Sequence, residues 1–242
     1  IVDPYVTPNQ NFVLSGVDSG ASQISGNTGR SFTFAGIKLI TGTTNDDRTV
    51  ISPRRGNTEL NAGINSSAFA SVLFGTENKI EYSAAISTSG NIADSSFWSG
   101  LKLTETGVYA TDANQAYFLY SAADDQGALT TNGNLHFVYS IANVDYVTNL
   151  GIVVEANTVY RIKIVFDENR QISISVNNIK YGLTTTPTST TAGGLTQSVA
   201  TTKSLAMTND IDLLPFTGIQ TLTTSSRGMQ IGYIKLSRDL YE

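Results

Sequence analysis

Residues 158–183 read TVYRIKIVFDENRQISISVNNIKYGL. Tyr160, Ile162, Ile164 and Phe166 alternate with Val159, Arg161, Lys163 and Val165, so an extended chain here has one apolar face and one mostly polar face. Successive side chains of a strand point to opposite sides, and a period of two marks a strand half-buried against a core. Asp167-Glu168-Asn169-Arg170 interrupts the pattern as a polar turn. Ile172, Ile174 and Val176 resume it with Ser173 and Ser175 between them, and Asn177-Asn178 leads into a third strand. The stretch reads as an antiparallel hairpin with a further strand added.

The same rhythm extends along the chain. Strands are expected over 32–40, 48–52, 68–74, 79–87, 97–104, 116–122, 135–141, 144–148, 151–155, 203–207, 211–214 and 229–237, beside those of the hairpin. Turn chemistry separates them: Ser89-Gly90, Asp124-Asp125-Gln126-Gly127 and Asn132-Gly133. No segment sustains a helical period, and short strands at this spacing argue for an all-β antiparallel sandwich or jelly roll. Residues 1–31 are rich in Gly, Ser, Asn and Asp with one apolar run at Phe12-Val13-Leu14, and read as a polar arm or edge segment. Residues 32–242 read as a single sandwich domain carrying a long Thr/Ser-rich loop at 184–202, which its composition suggests is mobile. The start at Ile1, without Met, suits a processed product or a fragment of something longer.

Composition narrows the functional classes. A chain of 242 residues can bury a large core. Only 14% of residues are charged, against roughly 25% for an average soluble domain. The surface must therefore be made polar by hydroxyls and amides, as on many adhesins and virion proteins. The net charge of −5 argues against nucleic acid as a partner, since phosphate binding needs a basic footprint. No apolar run reaches membrane-spanning length. The absence of cysteine removes disulfides and thiolate chemistry, and leans towards a bacterial or viral source.

Three stretches carry a family likeness: the 158–183 hairpin, Ser96-Phe97-Trp98-Ser99-Gly100-Leu101, and the closing segments Asp212-Leu213-Leu214-Pro215-Phe216-Thr217-Gly218-Ile219-Gln220 and Arg227 to Arg238. Together, over roughly residues 65–240, the chain resembles the concanavalin A-like lectin/glucanase (LamG-type) jelly-roll domains, of the kind found in tailed-phage virion proteins. The resemblance implies an all-β sandwich of jelly-roll type. It further implies a virion or extracellular location, other virion proteins or a cell-surface polysaccharide as partners, and a homo-oligomer, a trimer in fibres.

Catalytic signatures of that family are missing. Its retaining hydrolases carry Glu-x-Asp-x-(x)-Glu, which sets two carboxylates about 5–5.5 Å apart. Here Glu77 and Glu81 flank Lys79 where the central Asp would stand, and Asp210-Ile211-Asp212 has no third acid in the pattern. His136, the only histidine, sits on an alternating strand and reads as a hydrogen-bonded sheet-face residue. No Gly-x-Ser-x-Gly elbow appears, and Gly16, Gly20, Gly26 and Gly29 do not form a phosphate loop.

Candidate binding residues remain. A sugar needs an aromatic platform beside polar groups, because a pyranose has an apolar face and a rim of hydroxyls. Trp98, Tyr109, Tyr117 and Tyr120 are the aromatic candidates, with core packing the competing role for Trp98. Arg54 and Arg55 could meet an acidic sugar, or pair with Asp46 and Asp47. Calcium, which takes six to eight oxygens, is the cofactor that Asp46 and Asp47, or Asp124 and Asp125, could hold; solvated turns explain both pairs as well. The expected function is a non-enzymatic structural or adhesive domain of a phage virion protein, a tail fibre, spike or capsid decoration, that binds cell-surface glycan. The alternative is a carbohydrate-binding module of a bacterial surface protein or glycanase. A hydrolase or lyase would need a carboxylate cluster that the sequence does not display.

Overall fold

The computed structural model describes residues 12–17, 29–33, 36–53, 75–77, 79–103, 112–123, 132–187, 195–196 and 205–239. Their strands, in chain order, are β1 (Phe12–Val17), β2 (Gly29–Thr33), β3 (Gly36–Ile40), β4 (Arg48–Pro53), β5 (Ile80–Thr88), β6 (Ser95–Lys102), β7 (Gln115–Ser121) and β8 (Asn134–Ile141). The second half supplies β9 (Val144–Val153), β10 (Val159–Phe166), β11 (Ile172–Val176), β12 (Ile179–Tyr181), β13 (Leu195–Thr196), β14 (Leu214–Thr221) and β15 (Gly228–Arg238). One sheet has the order β1-β4-β14-β6-β7-β8-β9-β13, the other β12-β11-β10-β5-β15-β3-β2. All pairings are antiparallel except the short parallel contact of β13 with β9. Among the described residues no helix is long and apolar enough to cross a membrane.

The opening hairpin stands where its alternation places it. Tyr160, Ile162, Ile164 and Phe166 of β10 and Ile172, Ile174 and Val176 of β11 are buried in the core between the sheets. Asp167 organises the turn: its Oδ1 accepts the amides of Asn169 and Gln171, each at 2.9 Å, an Asx arrangement that replaces missing ladder bonds. Asn177 and Asn178 both adopt positive φ, 50° and 67°, the twist that joins two strands through two residues. The sandwich core adds Tyr82, Ile80 and Ile86 from β5, Phe97 and Leu101 from β6, Phe118 from β7 and Phe137 from β8. One polar knot lies inside it, where the Tyr82 hydroxyl meets Ser99 Oγ at 2.7 Å and Thr217 Oγ1 at 3.1 Å, tying β5 to β6 and β14 across the layers.

Several expected boundaries shift. The single strand expected over 32–40 is two, β2 and β3. Gly36 opens β3 at φ +129°, and a Cβ there would fall 1.9 Å from the Ile231 carbonyl oxygen, so the approach requires glycine. The two short strands expected at 144–148 and 151–155 are one strand, β9, in which Leu150 and Gly151 (φ 66°) bulge between the pairs Leu135–Ile152 and His136–Asn149. The strand expected at 211–214 begins only at Leu214 and runs on to Thr221, and that expected at 203–207 reduces to a bridge between Ala206 and Gln171. The strand expected at 68–74 lies outside the described residues.

Candidate functional site

Strand parity sorts the expected site residues. On β6 and β7, Phe97, Leu101, Ala116, Phe118 and Tyr120 face the other sheet, so Trp98, Gly100, Lys102, Gln115, Tyr117 and Leu119 face the opposite way. Tyr120 is thus a core residue, stacked on Phe97 at 4.8 Å with its hydroxyl donating to the Ile92 carbonyl at 3.1 Å. Burial raises its phenol pKa. Trp98 and Tyr117 belong to a second cluster with Val50, Leu119, Val138, Val147 and Phe216, on the outer face of the eight-stranded sheet. That face is buried as well: Trp98 is 0% and Tyr117 2% exposed. The expectation of an exposed aromatic platform fails for Trp98, Tyr117 and Tyr120, because each ring is packed on all sides. Tyr109, Arg54, Arg55, Asp124 and Asp125 lie outside the described residues.

Polar groups border that aromatic layer. Gln115 Nε2 donates to Ser140 Oγ at 2.8 Å, and Ser140 donates on to Asp145 at 2.5 Å. Lys102 lies 3.7 Å from Asp112 and 4.8 Å from the Phe216 ring centre. Burial pulls its ammonium pKa down to about 8, against the opposing pull of Asp112. At the other end Arg48 Nε donates to Gln220 Oε1 at 2.8 Å. His136 donates from Nδ1 to the Asn134 carbonyl at 3.0 Å, which leaves Nε2 as a buried acceptor with no partner among the described residues. Burial lowers its pKa to about 4, so the ring is neutral at neutral pH. These groups could do acid–base chemistry by type, but they stand in a sealed layer.

The acidic candidates are engaged in turns. Asp46 accepts from Gln220 Nε2 and from Asn45 Nδ2, each at 2.9 Å, and Asp47 Oδ2 accepts the Thr44 amide at 2.9 Å. Among the described residues no three His, Asp or Glu side chains gather as a metal-binding set. Near the bridge between Gly75 and Asp212, burial first, then Glu77 and Asp210, raise the Asp212 carboxyl pKa while Arg238 opposes them.

The open surface lies on the other sheet. The outward positions of β10, β5 and β15 come into register as Arg161, Ala85 and Tyr233 in one row and Lys163, Ser83 and Lys235 in the next. Tyr233 is 42% exposed, Ala85 is covered, and Ser83 and Ser87 are half-buried, so small residues form a furrow beside an exposed ring. Sequence reading missed Tyr233. Strict alternation from Met229 and Ile231 turns it inward, but the register shifts between Ile231 and Tyr233, and the extra residue Gly232 turns the ring out. The glycine within an alternating strand is the one signal that pointed to it.

No protein-family model matches this chain, and no curated protein matches its sequence. Solved structures do match its fold. A glycoside hydrolase family 16 endo-glucanase from Bacteroides ovatus superposes with a TM-score of 0.55 at 9% identity, covering 97% of this chain and 98% of that one. A protein of unknown function from Shewanella oneidensis gives 0.53 at 12% identity, over 96% of this chain and 80% of its own. An alginate lyase from Pseudomonas aeruginosa gives 0.52 at 10% identity, over 89% and 88%. The shared architecture is a two-sheet antiparallel jelly-roll sandwich. At such identities the likeness concerns the fold alone.

Proposed function

We propose that this chain is a non-catalytic polysaccharide-recognition domain of an extracellular or virion surface protein, with the outer face of the seven-stranded sheet as its ligand surface. The exposed Tyr233 ring beside the furrow of Ser83, Ala85 and Ser87 carries the reading. A pyranose can stack its apolar face on such a ring while its rim of hydroxyls meets flanking donors, here Arg161, Gln230 and Lys235. Jelly rolls that process polysaccharide, an endo-glucanase and an alginate lyase among them, share the architecture and support the carbohydrate theme. The low-charge surface supports an extracellular or virion setting, a phage fibre or spike included, and the lack of cysteine a bacterial or viral source.

The test is a panel of soluble polysaccharides incubated with the whole chain, scored for retention and for bond cleavage. Saturable retention without new reducing or unsaturated ends is the expected result. Turnover would replace recognition with catalysis, and direct attention to the acids around Asp212.

A further inference from the structure

The charges on the open face have an order that alternation alone does not require. Reading across the sheet, register sets Lys180 of β12 opposite Ser175 of β11, Ser175 opposite Lys163 of β10, Lys163 opposite Ser83 of β5, and Ser83 opposite Lys235 of β15. The row is Lys–Ser–Lys–Ser–Lys. Neighbouring strands lie about 4.8 Å apart, so its cations recur roughly every 10 Å with a hydroxyl midway. Arg161 and Tyr233 run alongside in the adjoining row. Lys180, Lys235 and Arg161 are exposed, while Lys163 forms an ion pair with Glu81 at 2.7 Å. Beyond the rows, Lys79 lies with Glu168 and Asp239 at the far end of β5. Among the described residues, a chain of net charge −5 thus gathers cations on the open outer face of its seven-stranded sheet.

We infer that this face binds an extended, 1,4-linked, uronate-bearing polysaccharide lying across the strands; the inference rests on the recognition reading above. In an extended 1,4-linked chain with near-twofold symmetry, successive sugars turn opposite edges to one side. A carboxylate then faces the protein at every second sugar, and a hydroxyl edge faces it between. The Lys–Ser–Lys–Ser–Lys row presents cations and hydroxyls in that order. Lysine is a compact charge with three donors, suited to a carboxylate that arrives with part of its hydration. Tyr233 supplies the stacking surface. Glu81 is the one acid beside the row on β5, and it competes with the ligand for Lys163.

Titration of the whole chain with 1,4-linked oligomannuronate, a neutral oligomannan of equal length, and polyglutamate decides the matter. The oligomannuronate is expected to bind at least about tenfold tighter than either control. Lys180→Gln with Lys235→Gln should abolish that preference, and Glu81→Gln should strengthen it. Both variants change only exposed or half-exposed side chains, so unchanged circular dichroism will separate binding from folding. Equal binding of polyglutamate would reduce the row to bulk charge and overturn the inference, as would full affinity in the double lysine variant. Tyr233-dependent binding of the neutral oligomer with no acidic preference would overturn the inference and leave the recognition reading standing. Failure to retain any oligosaccharide would end both.

Discussion

Trp98 is fully buried, stacked on Phe216 at a ring separation of 5.8 Å, and its indole lies where a Cβ on Gly218 would come within 2.6 Å. The large ring thus fills space that Gly218 leaves vacant. Trp98→Ala should cost roughly 3–5 kcal/mol, the usual range for deleting a buried aromatic, and a denaturant titration reads it directly. A change below about 1 kcal/mol would mean that the layer is loosely packed. His136 provides the pH-dependent test. Its folded pKa of about 4 lies below the ordinary 6.5, so as pH falls from 6.5 to 4 the unfolded chain takes up a proton that the folded chain refuses. Stability should drop across that window by about 3 kcal/mol and level off below it. His136→Gln should remove that part of the slope, as measured by paired unfolding curves at several pH values. At this scale the sequence was only half legible. Core packing was readable as the competing role for Trp98, but no local pattern assigned Tyr117 to a second buried layer. Tyr233 was hidden for the opposite reason, since a single inserted residue at Gly232 reverses the parity that assigns it to the core.

Elements were read more surely than residues. The β10–β11–β12 meander was visible because three local signals agreed: alternation on both sides, an Asp-led polar turn, and an Asn-Asn pair able to adopt positive φ. Where local signals were silent, boundaries moved. β14 was cut short because Pro215 and Gly218 disguise a strand whose positions are buried throughout. The turn from β8 to β9 carries a residual misfit, since Ala142 and Asn143 hold φ of 49° and 67°. Asn tolerates the left-handed region, whereas Ala gains nothing from it. Ala142→Gly should therefore stabilise the chain by about 0.5–1 kcal/mol, because the amide that donates to Asn114 Oδ1 is retained. A thermal unfolding midpoint that falls instead would show that this turn is held by contacts through the Ala142 methyl.

At the scale of the whole molecule, the two sheets differ in what their outer faces offer. The eight-stranded sheet carries Trp98, Tyr117, His136 and Lys102 in a buried layer, while the seven-stranded sheet exposes Tyr233, Arg161, Lys180 and Lys235. The fold class was legible from turn spacing and alternation, because both are set by backbone geometry common to all sandwiches. The choice of face was not, because it depends on a bulge and on burial that no local pattern records. Recognition by the open face is therefore tested best by one substitution, Tyr233→Ala, compared with the unaltered chain on the same polysaccharide panel. The ring is exposed, so stability should change by no more than about 0.5 kcal/mol, while saturable binding should be lost or weakened at least about tenfold. Undiminished binding by a folded Tyr233→Ala chain would contradict the central claim.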